Sequence, residues 1–296
     1  MMKSLAAGIA ALAACTALAQ DFSKVEIKTV PLADHTYMLV GAGGNMGLSV
    51  GEDATFLIDD QYAPLTPKIQ AAIAAVTSKP VKFILNTHWH FDHSGGNENF
   101  GGTGAVLVAH ENVRRRMSSE QFIEFMKAHV PASPHVALPV VTFAEGLTFH
   151  LNGDEMRVMH VPRAHTDGDA IVHFVKSDVI HMGDVFFNGM YPFIDTSSGG
   201  TIDGMVAGCD MALAIAGDQT KIIPGHGPLG TKAQLKAYRD MLAVVSARVK
   251  KLVAEGRKPD EIAKAGVSSE FDAEYGKGFI DPPKFAEMVA VNILHK

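Results

Sequence analysis

The chain has 296 residues, 47% hydrophobic and 20% charged, with a formal net charge of −6. This is ordinary globular composition, enough for one large domain or two small ones. The acidic balance argues against nucleic acid as a partner, because phosphate binding rests on clustered Lys and Arg.

The start departs from that composition. One cation, Lys3, precedes an apolar run that ends in Ala17-Leu18-Ala19 before Gln20. A charged start, a short apolar stretch and an A-x-A site predict a secretory signal over 1–19. The run is short for a membrane span, which wants about 20 apolar residues. Within it, Leu12 to Cys15 also reads as a lipobox, and lipidation of Cys15 is the one route to a membrane. Without Cys15, Cys209 is left alone, so no intramolecular disulfide is expected; its helical setting predicts a small buried hydrophobe.

Strand-like runs follow: VEIKTV, TYMLV, MGLSV and ATFLID, the middle two joined by GAGG at 41–44 as a flexible hairpin loop. Thr66-Pro67 opens a helix with Thr as its cap, and Ile69, Ile73 and Val76 share a face. VKFILNTH and GAVLVAH are buried strands. After a loop-rich stretch near 128–140 come LTFHL, MRVMHV, AIVHFV, DVIHM and KIIPGHG. Helices cover about 201–217 and 231–256, and PPKFAEMVAVNILHK closes the chain as another. In the second helix Leu235, Tyr238, Leu242, Val245, Val249 and Leu252 form a core-facing stripe. Two successive sets of strands and helices predict an α/β fold, with two facing sheets and helices outside. Residues 20–296 are read as a single domain with a helical extension from about 231.

The chemistry concentrates at LNTHWHFDHSGG, which places His88, His90, Asp92 and His93 just after an apolar run. Imidazole and carboxylate are the ligands zinc takes when no thiolate is offered. Gly95 and Gly96 let the backbone turn close by. Four potential ligands exceed the three that one catalytic ion needs, so the motif predicts two ions with partners elsewhere. His165, Asp184 and His226 each follow an apolar run and supply them. The other histidines have bland readings. His35, His129, His135 and His295 are surface residues. His150, His160, His173 and His181 lie within strands, and His110 ends one, as a support for the ligands or as ordinary packing.

H-x-H-x-D-H, followed by a His, an Asp in a G-D pair and a G-H-G, resembles the metallo-β-lactamase fold superfamily of hydrolases, from about residue 25 to 230. The resemblance implies a four-layer αββα sandwich of two facing mixed sheets. It implies that His88, His90 and His165 bind one ion, that Asp92, His93 and His226 bind the other, and that Asp184 bridges them. Asp59 matches a buried strand-end Asp that braces the metal loop. Two Zn²⁺ are expected, with iron or manganese as alternatives. Metal coordination lowers the pKa of water to about 7, so a shared hydroxide attacks and Asp92 carries the proton. The positive site would draw a small anionic substrate.

The predicted reaction is ring-opening of a lactam or lactone by an exported enzyme. Lactamases of this family usually have Cys or Ser where Asp184 stands, and one group uses a nearby Lys that is absent here. A bridging Asp resembles instead the glyoxalase II, lactonase and phosphodiesterase branches, so a thioesterase or phosphodiesterase is an alternative. Iron oxidoreductases of the fold, or a metal binder without turnover, are others. The loop 185–200, with Phe186, Phe187, Asn188 and Tyr191, reads either as an apolar pocket rim or as packing. Asn188 and Tyr191 are candidates to touch a substrate carbonyl. Asn45 is a turn residue or a site-facing amide, and Arg114 to Arg116 form a solvated face.

Overall fold

Alternation along each strand sends neighbouring side chains into different layers, which here need two sheets and two helical coats. The computed structural model describes residues 21–295. The predicted signal segment 1–19, with Cys15, lies outside them.

The first sheet runs through β1 (Lys28–Ala33), β2 (Thr36–Val40), β3 (Met46–Val50), β4 (Thr55–Ile58), β5 (Val81–Leu85) and β6 (Val106–His110). A small hairpin, β7 (Gln121–Ile123) and β8 (Ala128–Val130), intervenes before β9 (Val141–Phe143) closes that sheet at its edge. The second sheet orders β10 (Gly146–Leu151), β11 (Asp154–His160), β12 (Ala170–Phe174), β13 (Val179–His181), β14 (Lys221–Ile223) and β15 (Gly230–Thr231) in sequence. Strands β4, β5, β6 and β9 are parallel, as are β13 and β14. The remaining neighbours within the two sheets are antiparallel.

The alternation is visible in β4 and β5. Phe56, Ile58 and Leu85 face the second sheet and meet Val158, Val172 and Val179 there. Leu57 and Ile84 point the other way, onto Ile69 and Phe100. The helices are α1 (Thr66–Ala74), α2 (Phe91–Ser94), α3 (Asn97–Gly102), α4 (Glu111–Met117), α5 (Ile202–Ile215), α6 (Lys232–Ala254), α7 (Pro259–Ile262), α8 (Asp272–Tyr275) and α9 (Pro282–Leu294). Helices α1 and α3 cover the first sheet; α5, α6 and α9 cover the second, where Cys209, Tyr238 and Phe285 join one cluster with Ile171 and Ile180. The result is the αββα sandwich. No helix among the described residues is long and apolar enough to cross a membrane.

Local chemistry sets the helix starts. Thr231 and Gln234 form a reciprocal capping box on α6, and Thr201 and Asp281 cap α5 and α9. At α1 the expected Thr66 cap is corrected. A 3₁₀ turn over Ala63–Leu65 runs straight into the helix, so Thr66 is already helical and its hydroxyl accepts from Asn99. Val76 lies past the helix end yet packs on the same cluster. The first strand starts at Lys28 rather than Val25 and continues through Pro31, beyond which its register with β2 shifts. The middle stretch read as loop holds β8 and, just before it, β7; strands of three residues leave too little alternation to detect.

Candidate metal centre

The ends of the parallel strands place the site, as open α/β sheets commonly do. Asp59 follows β4, the turn with His88, His90, Asp92 and His93 follows β5, Asp184 follows β13, and His226 follows β14. His165 comes from the connection between β11 and β12.

The turn is pinned from below. Asp59 is fully buried with φ +60°, and its carboxylate accepts from Thr87 N (2.7 Å), Thr87 Oγ1 (2.8 Å) and His93 Nδ1 (2.7 Å). The glycines answer to close approach. A Cβ on Gly95 would meet Phe91 O at 2.4 Å, and one on Gly96 would meet Asp60 O at 2.8 Å. The GAGG loop is tied to the site. Gly44 N donates to Asp92 O, Gln61 Nε2 donates to Gly44 O, and a Cβ on Gly44 would sit 2.0 Å from the His93 ring.

All seven expected ligands come together, in three overlapping groups: His88, His90 and His165; His88, His93 and Asp184; Asp92, His93 and His226. Asp184 stands between the clusters with one oxygen toward each. Its Oδ2 lies 3.5 Å from His165 Nε2 and 3.9 Å from His88 Nε2, and its Oδ1 lies 3.0 Å from His93 Nε2 and 3.5 Å from His226 Nε2. Asp92 Oδ2 is 3.2 Å from His226 Nε2. Asp92 and His226 are partly exposed, at 18% and 25%, and mark the mouth.

Four rings have their outer nitrogen committed. His88 Nδ1 lies against Thr87 Oγ1, whose own proton goes to Asp59. His90 Nε2 faces Asp195 Oδ2 at 3.0 Å, His93 Nδ1 faces Asp59, and His165 Nδ1 faces Phe193 O at 2.8 Å. Each outer nitrogen therefore carries a proton, and the inner nitrogens of His88, His90 and His165 turn a lone pair inward. Burial pushes the His88 and His165 pKa values down, the latter to about 4, so both rings are neutral. Burial opposes charge on His93 too, but Asp184, Asp92 and Asp59 outweigh it and hold its pKa well above the usual value. His226 is raised to about 9: burial works against that, and Asp184 and Asp92 prevail. Asp92 is lowered to about 2, with burial overcome by His93 and His226.

The donor set fits metal cations. His88 Nε2 and Asp184 Oδ1 are buried without a properly aimed hydrogen bond. His165 Nε2 and His90 Nδ1 approach to 2.8 Å. Two lone pairs at that separation repel unless a cation satisfies them, and unpaired buried polar atoms are costly. Imidazole nitrogens and carboxylates suit zinc, iron or manganese, so the residues can hold metal ions without deciding their number or identity.

Several other expectations are corrected. Tyr191 does not face the site: it is buried against Phe285, and its hydroxyl donates to Asp272 Oδ1 at 2.7 Å. Asn188 and Asn45 are not substrate amides. Asn188 donates to Pro228 O, and Asn45 donates to Pro224 O and Gly227 O, so both clamp the loop that carries His226. Most of the 185–200 loop is packing, Phe186 included. Phe187 and Phe193 do line the centre: Phe187 stacks on His226 at 5.4 Å, and Phe193 on His90 at 5.8 Å. Arg116 is no free surface cation, since it forms a bidentate pair with Asp167. His110 stacks on His160 and caps α4, away from the cluster. His35, His129, His135, His150 and His295 are exposed; His173 is half-buried and His181 buried.

Sequence reasoning missed Asp195, 105 residues from the ring it orients. It also missed Thr87, which lies inside the quoted motif but bears its role only once Asp59 is beneath it. No spacing signal marks either.

The sequence pattern of the metallo-beta-lactamase superfamily matches residues 40–254. An acyl-coenzyme A thioesterase MBLAC2 from Gallus gallus is 28% identical over 154 residues, covering 47% of this chain and 54% of that protein. A hydroxyacylglutathione hydrolase from Maricaulis maris is 29% identical over 138 residues, covering 46% of this chain and 44% of that one. The chain thus spans about half the length of the curated relatives it matches. A solved metallo-beta-lactamase from Pontibacter korlensis superposes with a TM-score of 0.61 at 18% identity, covering 74% of this chain and 99% of its own. At that identity the likeness is one of fold.

Proposed function

Because the chain belongs to the metallo-beta-lactamase superfamily, we propose that it is a binuclear metal hydrolase of acyl bonds, with a thioester or lactone ahead of a lactam. The observation that carries it is the division of Asp184 between the two histidine clusters, one oxygen to each. His88, His90 and His165 would hold one ion, and Asp92, His93 and His226 the other, with zinc the first choice for this donor set. Bound divalent ions supply Lewis acidity for attack by water at neutral pH.

The chain's own residues do the rest. Asp59, Thr87, Asp195 and the Phe193 carbonyl fix the ring orientations, so little reorganisation is needed at the moment of reaction. Phe187 and Phe193 exclude bulk water from the inner face. Asp92, at the mouth, takes the proton of the attacking water on its carboxylate and returns it to the leaving group. Water adds to the carbonyl carbon, the C–S or C–O bond breaks, and a carboxylic acid and a thiol or alcohol leave. Thioester comes first because the curated relatives at 28% and 29% identity are named for thioester substrates.

The test is a hydrolysis panel on metal-reconstituted protein: an acyl-coenzyme A, a hydroxyacylglutathione, an acyl lactone, a chromogenic cephalosporin and a phosphodiester. Thioester or lactone turnover, lost in Asp184→Asn, supports the reading. Turnover of the phosphodiester alone overturns the acyl assignment, and iron with a visible band but no hydrolysis overturns the hydrolase. Export through 1–19 is part of the proposal. N-terminal sequencing that begins at Gln20 supports it, a lipidated Cys15 moves it to the membrane surface, and an uncut start removes it.

A further inference from the structure

Tyr62 stands at the mouth of the centre, on the segment that follows β4. That segment is held along its length. Asp59 braces His93, and Asp60 accepts from Gly96 N. Gln61 is locked to the glycine loop, accepting from Gly43 N and donating to Gly44 O. Tyr62 O accepts from Leu65 N. The Tyr62 ring lies between two others, with Phe22 at 5.1 Å and Phe91 at 6.0 Å. Phe22 is itself fixed, because Lys68 Nζ donates to the carbonyls of Phe22, Ser23 and Val25 at 2.9, 2.7 and 2.7 Å. Gly43 marks where the ring meets the ligands. A Cβ built there would lie 3.2 Å from Tyr62 Cε2, next to the hydroxyl-bearing carbon, and 3.3 Å from Asp92 Cβ. Ring and carboxylate therefore share one corner of the mouth, where Asp92 and His226 are partly exposed. Asp92 and Asp184 are also the charges that, after burial, raise the phenol's pKa, so it keeps its proton at neutral pH. Among the described residues none forms a hydrogen bond with that hydroxyl. The Tyr191 hydroxyl, by contrast, is committed to Asp272.

A donor held in place with no partner in the fold is open to a ligand at no cost in reorganisation. We propose that Tyr62 is a catalytic residue that donates a hydrogen bond to the leaving atom of the substrate, the sulfur or oxygen that departs. The inference rests on the hydrolase reading and adds the group that recognises the departing half. Asp92 sets the side, because it shares that corner of the mouth and returns the proton to the same atom. As the C–S or C–O bond breaks, its electron pair goes to the leaving atom. Asp92 supplies the proton, and the Tyr62 O–H bond stays intact. A hydrogen bond strengthens with the charge on its acceptor. It therefore acts in the transition state rather than on the bound substrate, and it matters most when the leaving atom is basic.

The experiment compares the wild-type chain with Tyr62→Phe, both full length and metal-reconstituted. The substrates are esters and thioesters of one acyl group. Their leaving groups run from phenols to alkyl alcohols and from thiophenols to alkyl thiols. Phenylalanine keeps the packing on Phe22 and Phe91 and removes only the hydroxyl. In whichever class turns over, kcat for the most basic leaving group should fall about 10- to 100-fold and for the most acidic less than about threefold, as loss of a hydrogen bond to a charged atom predicts. The plot of log kcat against leaving-group pKa therefore steepens, while KM stays put. Metal content by elemental analysis should not change. Equal or total loss on every leaving group, or no loss on any, overturns the proposal. A drop in metal content also overturns it, and makes Tyr62 a support of the metal turn instead. No turnover by the wild-type chain on any member removes the hydrolase reading and this inference with it. Wild-type turnover with parallel slopes sinks this inference alone.

Discussion

Asp195 Oδ2 lies 3.0 Å from His90 Nε2, and this pair decides which nitrogen of His90 faces the metal centre. Ser198 and Ser197 donate to the same carboxylate and hold it in place. Asp195→Asn keeps the volume but frees the ring to turn over. We expect metal affinity at the His88–His90–His165 cluster to fall about 10- to 100-fold. Chelator competition measures it, with an unchanged circular dichroism spectrum as the control; unaltered affinity would show that the pair is incidental.

Gly44 and Gly102 make a matched pair of substitutions. Alanine at Gly44 would drive a Cβ into the His93 ring, whereas Gly102 has nothing within 4 Å of its Cβ position. If the proposed pair of ions is bound, Gly44→Ala should lower the metal content toward one ion per chain and remove activity. Gly102→Ala, within α3, should leave both intact and add up to about 1 kcal/mol of stability. Full metal content in Gly44→Ala, by elemental analysis, would contradict the close packing.

His181 is fully buried with a defined tautomer. Its Nε2 donates to Asn45 O, and its Nδ1 accepts from Gly183 N. Burial lowers its pKa to about 4, partly offset by Asp59, the Asn45 carbonyl and Asp184, with His93 adding to the drop. The unfolded ring titrates near 6.5, so between those values the unfolded state binds more protons. Stability is therefore complete above about pH 6.5, falls as pH drops toward 4, and levels off below. The loss through this ring is of order 3 kcal/mol. Urea unfolding of metal-free protein across that window should show it, and His181→Gln should reduce the slope; equal slopes would remove His181 as the cause.

Tyr191 separates packing from recognition. Its hydroxyl reaches Asp272 Oδ1 at 2.7 Å and Ser268 O at 3.3 Å, linking the 185–200 loop to the C-terminal helices. Tyr191→Phe should cost about 1–2 kcal/mol of stability, since Asp272 keeps Ser268 Oγ as a partner. KM should not move for any substrate of the panel. A raised KM with unchanged stability would return Tyr191 to the substrate pocket.

Much was legible before any coordinates. His88, His90, Asp92 and His93 share one turn, so local spacing alone announces a metal site. His165, Asp184 and His226 each stand just past an apolar run, and such runs end at sheet edges. The layer pattern is equally local, since Phe56 and Leu57 face opposite ways by the two-residue period of a strand. The stripe on α6 reads the same way.

What stayed hidden is long-range and polar. The partner of His90 is Asp195, and that of His93 is Asp59, neither fixed by a period. Asn45, Asn188 and Tyr191 were visible as polar residues near the right motifs, but only packing shows that they clamp loops. A period records which face is apolar, because burial of carbon is non-directional and sums along an element. A hydrogen bond is directional and joins two atoms wherever the chain brings them, so its partner is decided only when the sheets close on each other.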